Sequence, residues 1–103
     1  MRLKEGVCIT GIRPELIIGL MAAEAAYRAV GVGMVVTSIT DGKHSLTSLH
    51  YAGAAADLRT RDMTESQIAS VLRAIAKALP NDFDVIFEGN HYHLEYDPRR
   101  PHQ

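Results

Sequence analysis

A chain of 103 residues, of which 47% are hydrophobic, can form one compact domain but is too short for two with separate cores. Its 11 basic and 12 acidic residues are mixed along the sequence and give a net charge of −1, which argues against nucleic acid or an anionic membrane as a partner. No apolar stretch reaches the ~20 residues of a transmembrane helix, and the N-terminus lacks the apolar core of a signal peptide. We expect one domain over residues 1–98, a polar tail over residues 99–103, synthesis in the cytoplasm and a monomer in solution.

The first predicted helix begins at Pro14, a residue that a first helical turn accepts, and Gly31 and Gly33 end it. Before this helix, Cys8 is expected to be a small hydrophobe in a strand. After it, the β-branched segment 34–38 predicts a strand that leads into a loop. The apolar residues of the helix recur at helical spacing, at Leu16, Ile17, Leu20, Ala23, Ala26, Tyr27 and Val30.

A capping box at Thr64 and Gln67 starts the second predicted helix, and Pro80 ends it. Segments 83–88 and 91–96 then predict two strands, joined by a hairpin turn or bulge at residues 89–90. This order of elements predicts an α+β fold in which the helices pack on one face of a small, largely antiparallel sheet.

The last predicted strand alternates between apolar and polar side chains. In a strand with one face under helices, alternate residues point to opposite faces. Tyr92, Leu94 and Tyr96 are therefore expected to face the helices, while His91, His93 and Glu95 share the other face.

A second segment with metal-competent side chains carries His50 and Asp57, seven residues apart. On a helix, two turns of rise would separate these side chains by roughly 10 Å. They could not then reach one ion at bond distances of ~2 Å. A loop that turns at Gly53 into a strand over residues 55–59 would let His50 approach Asp57, so a shared metal site requires non-helical backbone here.

The pattern Ser48-x-His50-x-x-Gly53-x-Ala55-x-Asp57 resembles the S-x-H-x-x-G-x-A-x-D signature of the zinc D-alanyl-D-alanine carboxypeptidase and phage endolysin family. These are LAS-type peptidoglycan peptidases related in fold to the hedgehog signalling domain. The flanking segments TSITDGKHS and EGNHYHLEYDP also resemble small, phage-type members of the family. The resemblance implies a cleft with one zinc ion on the sheet face opposite the helices.

In that family, two histidines and one aspartate hold the zinc, and water takes the fourth position. Carried over by motif, the first two ligands are His50 and Asp57. The third is His93, because the last ligand of the family is followed by an apolar residue and then an acid. His91 is the alternative third ligand. The resemblance implies hydrolysis of an amide bond in the peptidoglycan peptide stem, either as a D,D-carboxypeptidase or as an endolysin-type endopeptidase. Such a protein would act on the cell wall after release, or as part of a phage particle.

Three loop residues are implied to contact substrate. Ser48 would help to hold the peptide carboxylate, and Lys43 stands where the family usually has an arginine that holds the substrate. His44 would lie beside the cleft. Each of the three is also compatible with an ordinary hydrated loop.

The general base of the family lies three residues before the last ligand. Counting back from His93 gives Asn90, whose amide cannot accept a proton at neutral pH. Counting back from His91 gives Glu88, which we expect to be the catalytic carboxylate. Glu95 is expected to orient a histidine.

Two other functions stay open. Four ligands, His50, Asp57, His91 and His93, would close the site to water and make a non-catalytic zinc- or cell-wall-binding domain, such as a phage structural component. Alternatively, the chain is a metal-free interaction module.

Arg59 is expected either to pair with Asp57 or to face solvent.

Overall fold

Five strands and two helices lie within residues 1–40 and 52–98, the part of the chain that this computed structural model describes. In chain order they are β1 (Arg2–Leu3), α1 (Pro14–Ala29), β2 (Val35–Ser38), β3 (Ala55–Arg59), α2 (Glu65–Ala78), β4 (Phe83–Phe87) and β5 (His91–Tyr96). The strands are arranged in the order β1, β2, β3, β5, β4, and every neighbouring pair is antiparallel except β1 with β2. The coarse prediction of an α+β domain with a small, mostly antiparallel sheet is confirmed.

Both helices begin and end close to where their sequence signals place them. Pro14 is the first residue of α1, and Gly31, with φ +76°, follows its C-terminal end. The capping box of α2 is formed: the Gln67 N–H donates to the Thr64 hydroxyl at 3.2 Å, and the Thr64 N–H donates to the Gln67 side chain at 2.8 Å. No helix in the described residues is long and apolar enough to cross a membrane.

The helices pack on the sheet face that carries Leu58 of β3 and Tyr92 and Leu94 of β5. These three side chains are fully buried, so the predicted inward face of β5 is confirmed for Tyr92 and Leu94. Leu16, Leu20, Ala23, Ala26 and Tyr27 of α1 and Val71 and Ile75 of α2 cover them. The opposite face of β3 and β5 is left for the polar residues of both strands.

Two buried tyrosines fix β3 and β5 to the helices. The Tyr27 hydroxyl donates to the Arg59 carbonyl, and the Tyr92 hydroxyl donates to the Ile68 carbonyl, both at 2.6 Å. Burial raises the pKa of Tyr92 to about 12 and that of Tyr27 further, so both remain donors at neutral pH. Each such bond contributes about 1 kcal/mol and holds a strand at a fixed distance from its helix.

The turn between β4 and β5 is a two-residue hairpin. Gly89 has φ +83°, and the Glu88 N–H donates to the His91 carbonyl at 2.8 Å across the turn. Glycine at the first central position suits the hairpin turn that matches strand twist. The predicted hairpin at residues 89–90 is confirmed, and it fixes the start of β5.

The N-terminal segment differs from the prediction. Cys8 is not in a strand; the first strand is the shorter β1, which pairs with β2 in parallel. A turn that contains Gly6, with φ +90°, follows β1, and Val7 then packs against the core from a loop. The half-buried Cys8 contributes its carbonyl oxygen, which accepts hydrogen bonds from the backbone and side chain of Thr40. The predicted tail, residues 99–103, lies outside the described residues.

Candidate metal site

Strand β3 begins after a sharp turn at Gly53, whose φ is +71°. A Cβ at this position would overlap the carbonyl oxygen of Gly11, so only glycine lets these two backbones approach so closely. The Gly53 carbonyl also accepts a hydrogen bond of 2.9 Å from the N–H of Arg13, just before α1. The backbone over residues 52–59 is therefore turn and strand, as predicted for this part of the segment, whereas His50 lies outside the described residues.

Asp57 and His93 face each other across β3 and β5, because the strand register pairs them directly. Nδ1 of His93 lies 3.2 Å from Oδ1 of Asp57, and the two side chains are only 19% and 18% exposed. The Thr37 hydroxyl on β2 donates to the Asp57 carbonyl at 3.3 Å. Three neighbouring strands thus hold the acid and the imidazole in position.

Glu95 contacts the other side of the His93 ring, with its Oε1 3.0 Å from Nε2. Each ring nitrogen therefore faces a carboxylate oxygen. A neutral imidazole has one N–H, so one of these contacts would set a lone pair against an anion. A second proton on the ring, or a metal ion at one of its nitrogens, would remove this repulsion.

The same two carboxylates change the proton affinity of His93. Its hydrogen bond with Asp57, together with the negative charges of Asp57 and Glu95, raises the pKa of His93 above its ordinary value, although burial acts in the opposite direction. In the metal-free protein, the imidazolium is therefore the form that the site stabilises.

His91 lies two residues earlier on the same face of β5 and contacts one amide and two carboxylate oxygens. Its Nδ1 is 2.6 Å from Oδ1 of Asn90. Its Nε2 is 3.4 Å from Oε1 of Glu88 and 3.7 Å from Oδ1 of Asp57. His93 is thus the nearer of the two histidines to Asp57, which favours it as the third ligand, while His91 stays within reach of the same oxygen.

Only part of the predicted site falls within the described residues. The strands bring together Asp57, Glu88, His91 and His93 on one face. The remaining predicted site residues, Lys43, His44, Ser48 and His50, lie outside the described residues. Within residues 1–40 and 52–98, no group of three or more histidine, cysteine, aspartate or glutamate side chains is placed to hold a metal ion. Two of the three predicted zinc ligands, Asp57 and His93, belong to this part of the chain.

A basic cleft of about 270 Å³ adjoins the site and was not predicted from the sequence. Its walls are formed by Lys4, Thr37, Asp57, Arg59, Arg61, Asn90 and His91. The spacing of two between residues 57, 59 and 61 was a signal that their side chains share one face. Lys4 follows β1, two strands away from β3, and no local pattern connects it with Asp57.

No family model matches this chain, and no match was found among curated proteins. Support for a function therefore comes from the signature and from the contacts of the His93 ring.

Proposed function

We propose that this chain is a zinc-dependent peptidoglycan peptidase that hydrolyses an amide bond in the peptide stem of the cell wall. The observation that carries the proposal is the His93 ring, whose two nitrogens face the carboxylates of Asp57 and Glu95. The S-x-H-x-x-G-x-A-x-D signature supports it, since Asp57 is the last residue of that signature. The protein would reach its substrate after release from the cell or as part of a phage particle.

The donor set fits zinc. Two atoms bound to a tetrahedral zinc ion lie roughly 3.3 Å apart, a separation close to the 3.2 Å between His93 Nδ1 and Asp57 Oδ1. Zinc-bound histidines commonly donate their other N–H to a carboxylate, the position that Glu95 occupies at Nε2. His50 is the third ligand that the signature supplies. When bound, zinc would polarise the scissile carbonyl and lower the pKa of a coordinated water towards ~7.

The proton transfers fall to a carboxylate of the chain. Glu88 is the proposed base: it would accept a proton from the attacking water and deliver it to the leaving amine. Its Oε1 lies 3.4 Å from Nε2 of His91, so His91 connects it to the face that carries Asp57. Asn90 cannot take this role, and its amide oxygen instead contacts Nδ1 of His91.

The test combines zinc stoichiometry with hydrolysis of purified peptidoglycan. We expect one zinc per chain in the wild type, release of peptide-stem fragments by the wild type, and loss of hydrolysis in Glu88→Gln. Glu65→Gln, an exposed substitution on α2, is the matched control and should keep the activity. A zinc-loaded wild type that releases no fragment would end the peptidase proposal. A protein that binds no zinc and melts at the same temperature with and without EDTA would favour the metal-free interaction module.

A non-catalytic zinc- or cell-wall-binding domain is the second candidate. The observation that favours it is that His91 and His93 both face the same oxygen of Asp57, at 3.7 and 3.2 Å. With His50, these residues would make a four-ligand site that excludes reactive water. Asn90→Asp discriminates between the two candidates, because hydrolysis that is seen only in this variant identifies the natural chain as the binding form.

A further inference from the structure

We propose that the open edge of β4, together with an apolar groove beside it, is a docking site for an extended protein segment that alternates basic and apolar side chains. Such a segment would extend the five-stranded sheet by one strand. The inference is independent of the proposed function, because the docking site contains none of the proposed zinc ligands.

The edge of β4 presents backbone groups that can pair with another strand. Among the described strands, β4 is the last in the sheet and pairs only with β5. The Glu88 N–H donates to the His91 carbonyl, so these two residues form a hydrogen-bonded pair. Hydrogen-bonded and non-hydrogen-bonded pairs alternate along an antiparallel ladder. The N–H and C=O groups of Val85 and Phe87 therefore point away from β5, towards the open edge.

This edge lacks the features that usually prevent strand addition. Sheet edges are commonly protected by a very short strand, a bulge, a proline or a lysine. β4 has five residues, an unbroken register with β5, and neither proline nor lysine. The opposite edge strand, β1, has only two residues, and Lys4 follows it. Of the two edges of the described sheet, that of β4 is therefore the one suited to receive a partner strand.

An apolar groove of about 480 Å³ lies beside this edge, between α2 and the β4–β5 hairpin. Its walls are formed by Glu65, Ile68, Ala69, Leu72, Phe87 and Gly89. The Phe87 ring packs against Tyr92, with the ring centroids 6.0 Å apart, but 39% of Phe87 stays exposed. Alternate side chains of an added strand would point to the helix side, where an apolar one could enter this groove next to Phe87.

The charge around the edge favours a basic partner. Residues 82–88 contain three acids, Asp82, Asp84 and Glu88, and no basic residue. Glu65 adds a carboxylate at the groove. Two copies of β4 paired with each other would bring these acids together, whereas lysine or arginine side chains of a partner strand would lie opposite them. The expected occupant is therefore a basic segment of another protein and not a second copy of this chain.

Titration with a designed peptide tests the docking site. The probe is an N-acetylated, C-amidated heptapeptide that alternates lysine with leucine, added to the full chain while backbone amide NMR shifts and solvent exchange are followed. We expect shifts in β4 and α2, and slower exchange of the Val85 and Phe87 amides, because their N–H groups become hydrogen-bonded. The same peptide with glutamate in place of lysine should bind roughly tenfold more weakly, because like charges then face each other across the new strand pair.

Two matched variants separate docking in the groove from general attraction to the chain. Ala69→Arg fills the groove with a bulky cation and should lower the affinity roughly tenfold. Ala74→Arg, the same substitution at an exposed position of α2 outside the groove, should leave it unchanged.

Several results would overturn the docking site. These are no binding of either peptide, equal affinity for the lysine and glutamate peptides, equal affinity of Ala69→Arg and the wild type, or unchanged exchange of the Val85 and Phe87 amides. Sedimentation that shows dimers of the chain alone, with these two amides protected in the dimer, would assign the edge to a second copy and would equally overturn it. None of these measurements involves zinc or hydrolysis, so they leave the peptidase proposal untouched.

Discussion

Replacing Asp57 by asparagine tests the central pair of the site in the metal-free protein. The substitution keeps the shape of the side chain but removes the charge that faces Nδ1 of His93. Because Asp57 is the main cause of the raised pKa of His93, we expect that pKa to fall towards its ordinary value in the variant. The loss of stability should then depend on pH.

The sign of the pH dependence follows from linkage. A histidine whose pKa is raised in the folded state stabilises the fold fully below its unfolded pKa, near 6.5, and loses this contribution as the pH rises through its folded pKa. At pH 5.5 the wild-type pair is charged, and Asp57→Asn should cost about 1.5 kcal/mol, or about 5 to 10 °C in melting temperature for a domain of this size. As the pH is raised to 9, His93 loses its proton more readily, so the difference between the two proteins should be smaller than at pH 5.5.

Thermal unfolding in the presence of EDTA at both pH values measures this difference, and NMR titration of the His93 ring measures its pKa directly. Asp62→Asn, an exposed substitution in the turn before α2, serves as the control and should melt within about 2 °C of the wild type at both pH values. An equal loss of stability at pH 5.5 and pH 9, or an unchanged pKa of His93, would refute the assignment of Asp57 as the partner of this histidine.

Three further substitutions probe the supports of the site. Glu95→Gln should weaken zinc affinity by about 10- to 100-fold, because the carboxylate that orients His93 is lost, and competition with a chromogenic chelator measures the effect. Gly53→Ala should destabilise the fold by about 2 to 4 kcal/mol in urea unfolding, because the positive φ strains alanine and its Cβ meets the Gly11 carbonyl. Tyr92→Phe should cost about 1 kcal/mol in the same assay through the lost hydrogen bond to α2, and an unchanged midpoint would contradict the anchoring role.

The elements with local signals were predictable from sequence. The capping box at Thr64 and the glycine at position 31 mark helix ends through backbone chemistry that does not depend on the rest of the fold. The alternation of β5 was equally local, so the face shared by His91 and His93 followed from strand geometry alone. Cys8 was wrongly predicted to lie in a strand. A short apolar segment can pack against a core from a loop as well as from a strand, and hydrophobic periodicity does not distinguish a loop from a strand over so few residues.

The contacts within the site required tertiary information. Sequence spacing grouped His93 with Glu95, and the resemblance added Asp57, but only the β3–β5 register shows that Asp57 and Glu95 contact opposite nitrogens of the ring. The role of Arg59 was open for the same reason, since its surroundings depend on Lys4, a residue from the far side of β2. Motif spacing therefore identified the chemical groups, and the strand order determined which of them are neighbours.

The direction of β3 sets the order of the candidate site's side chains along one strand. The strand leaves the Gly53 turn, passes Asp57 opposite His93, and ends at Arg59 opposite His91. Glu95, opposite Ala55, contacts Nε2 of His93, and Asp57 contacts Nδ1, so under the proposed function Nδ1 is the nitrogen that would bind zinc. The proposed zinc ligand Asp57 and the cleft residue Arg59 therefore occupy successive positions on one face of β3. Because a strand rises about 3.3 Å per residue, Asp57 and Arg59 are about 7 Å apart along β3, so the order of acid and cation on this face is fixed by the strand itself.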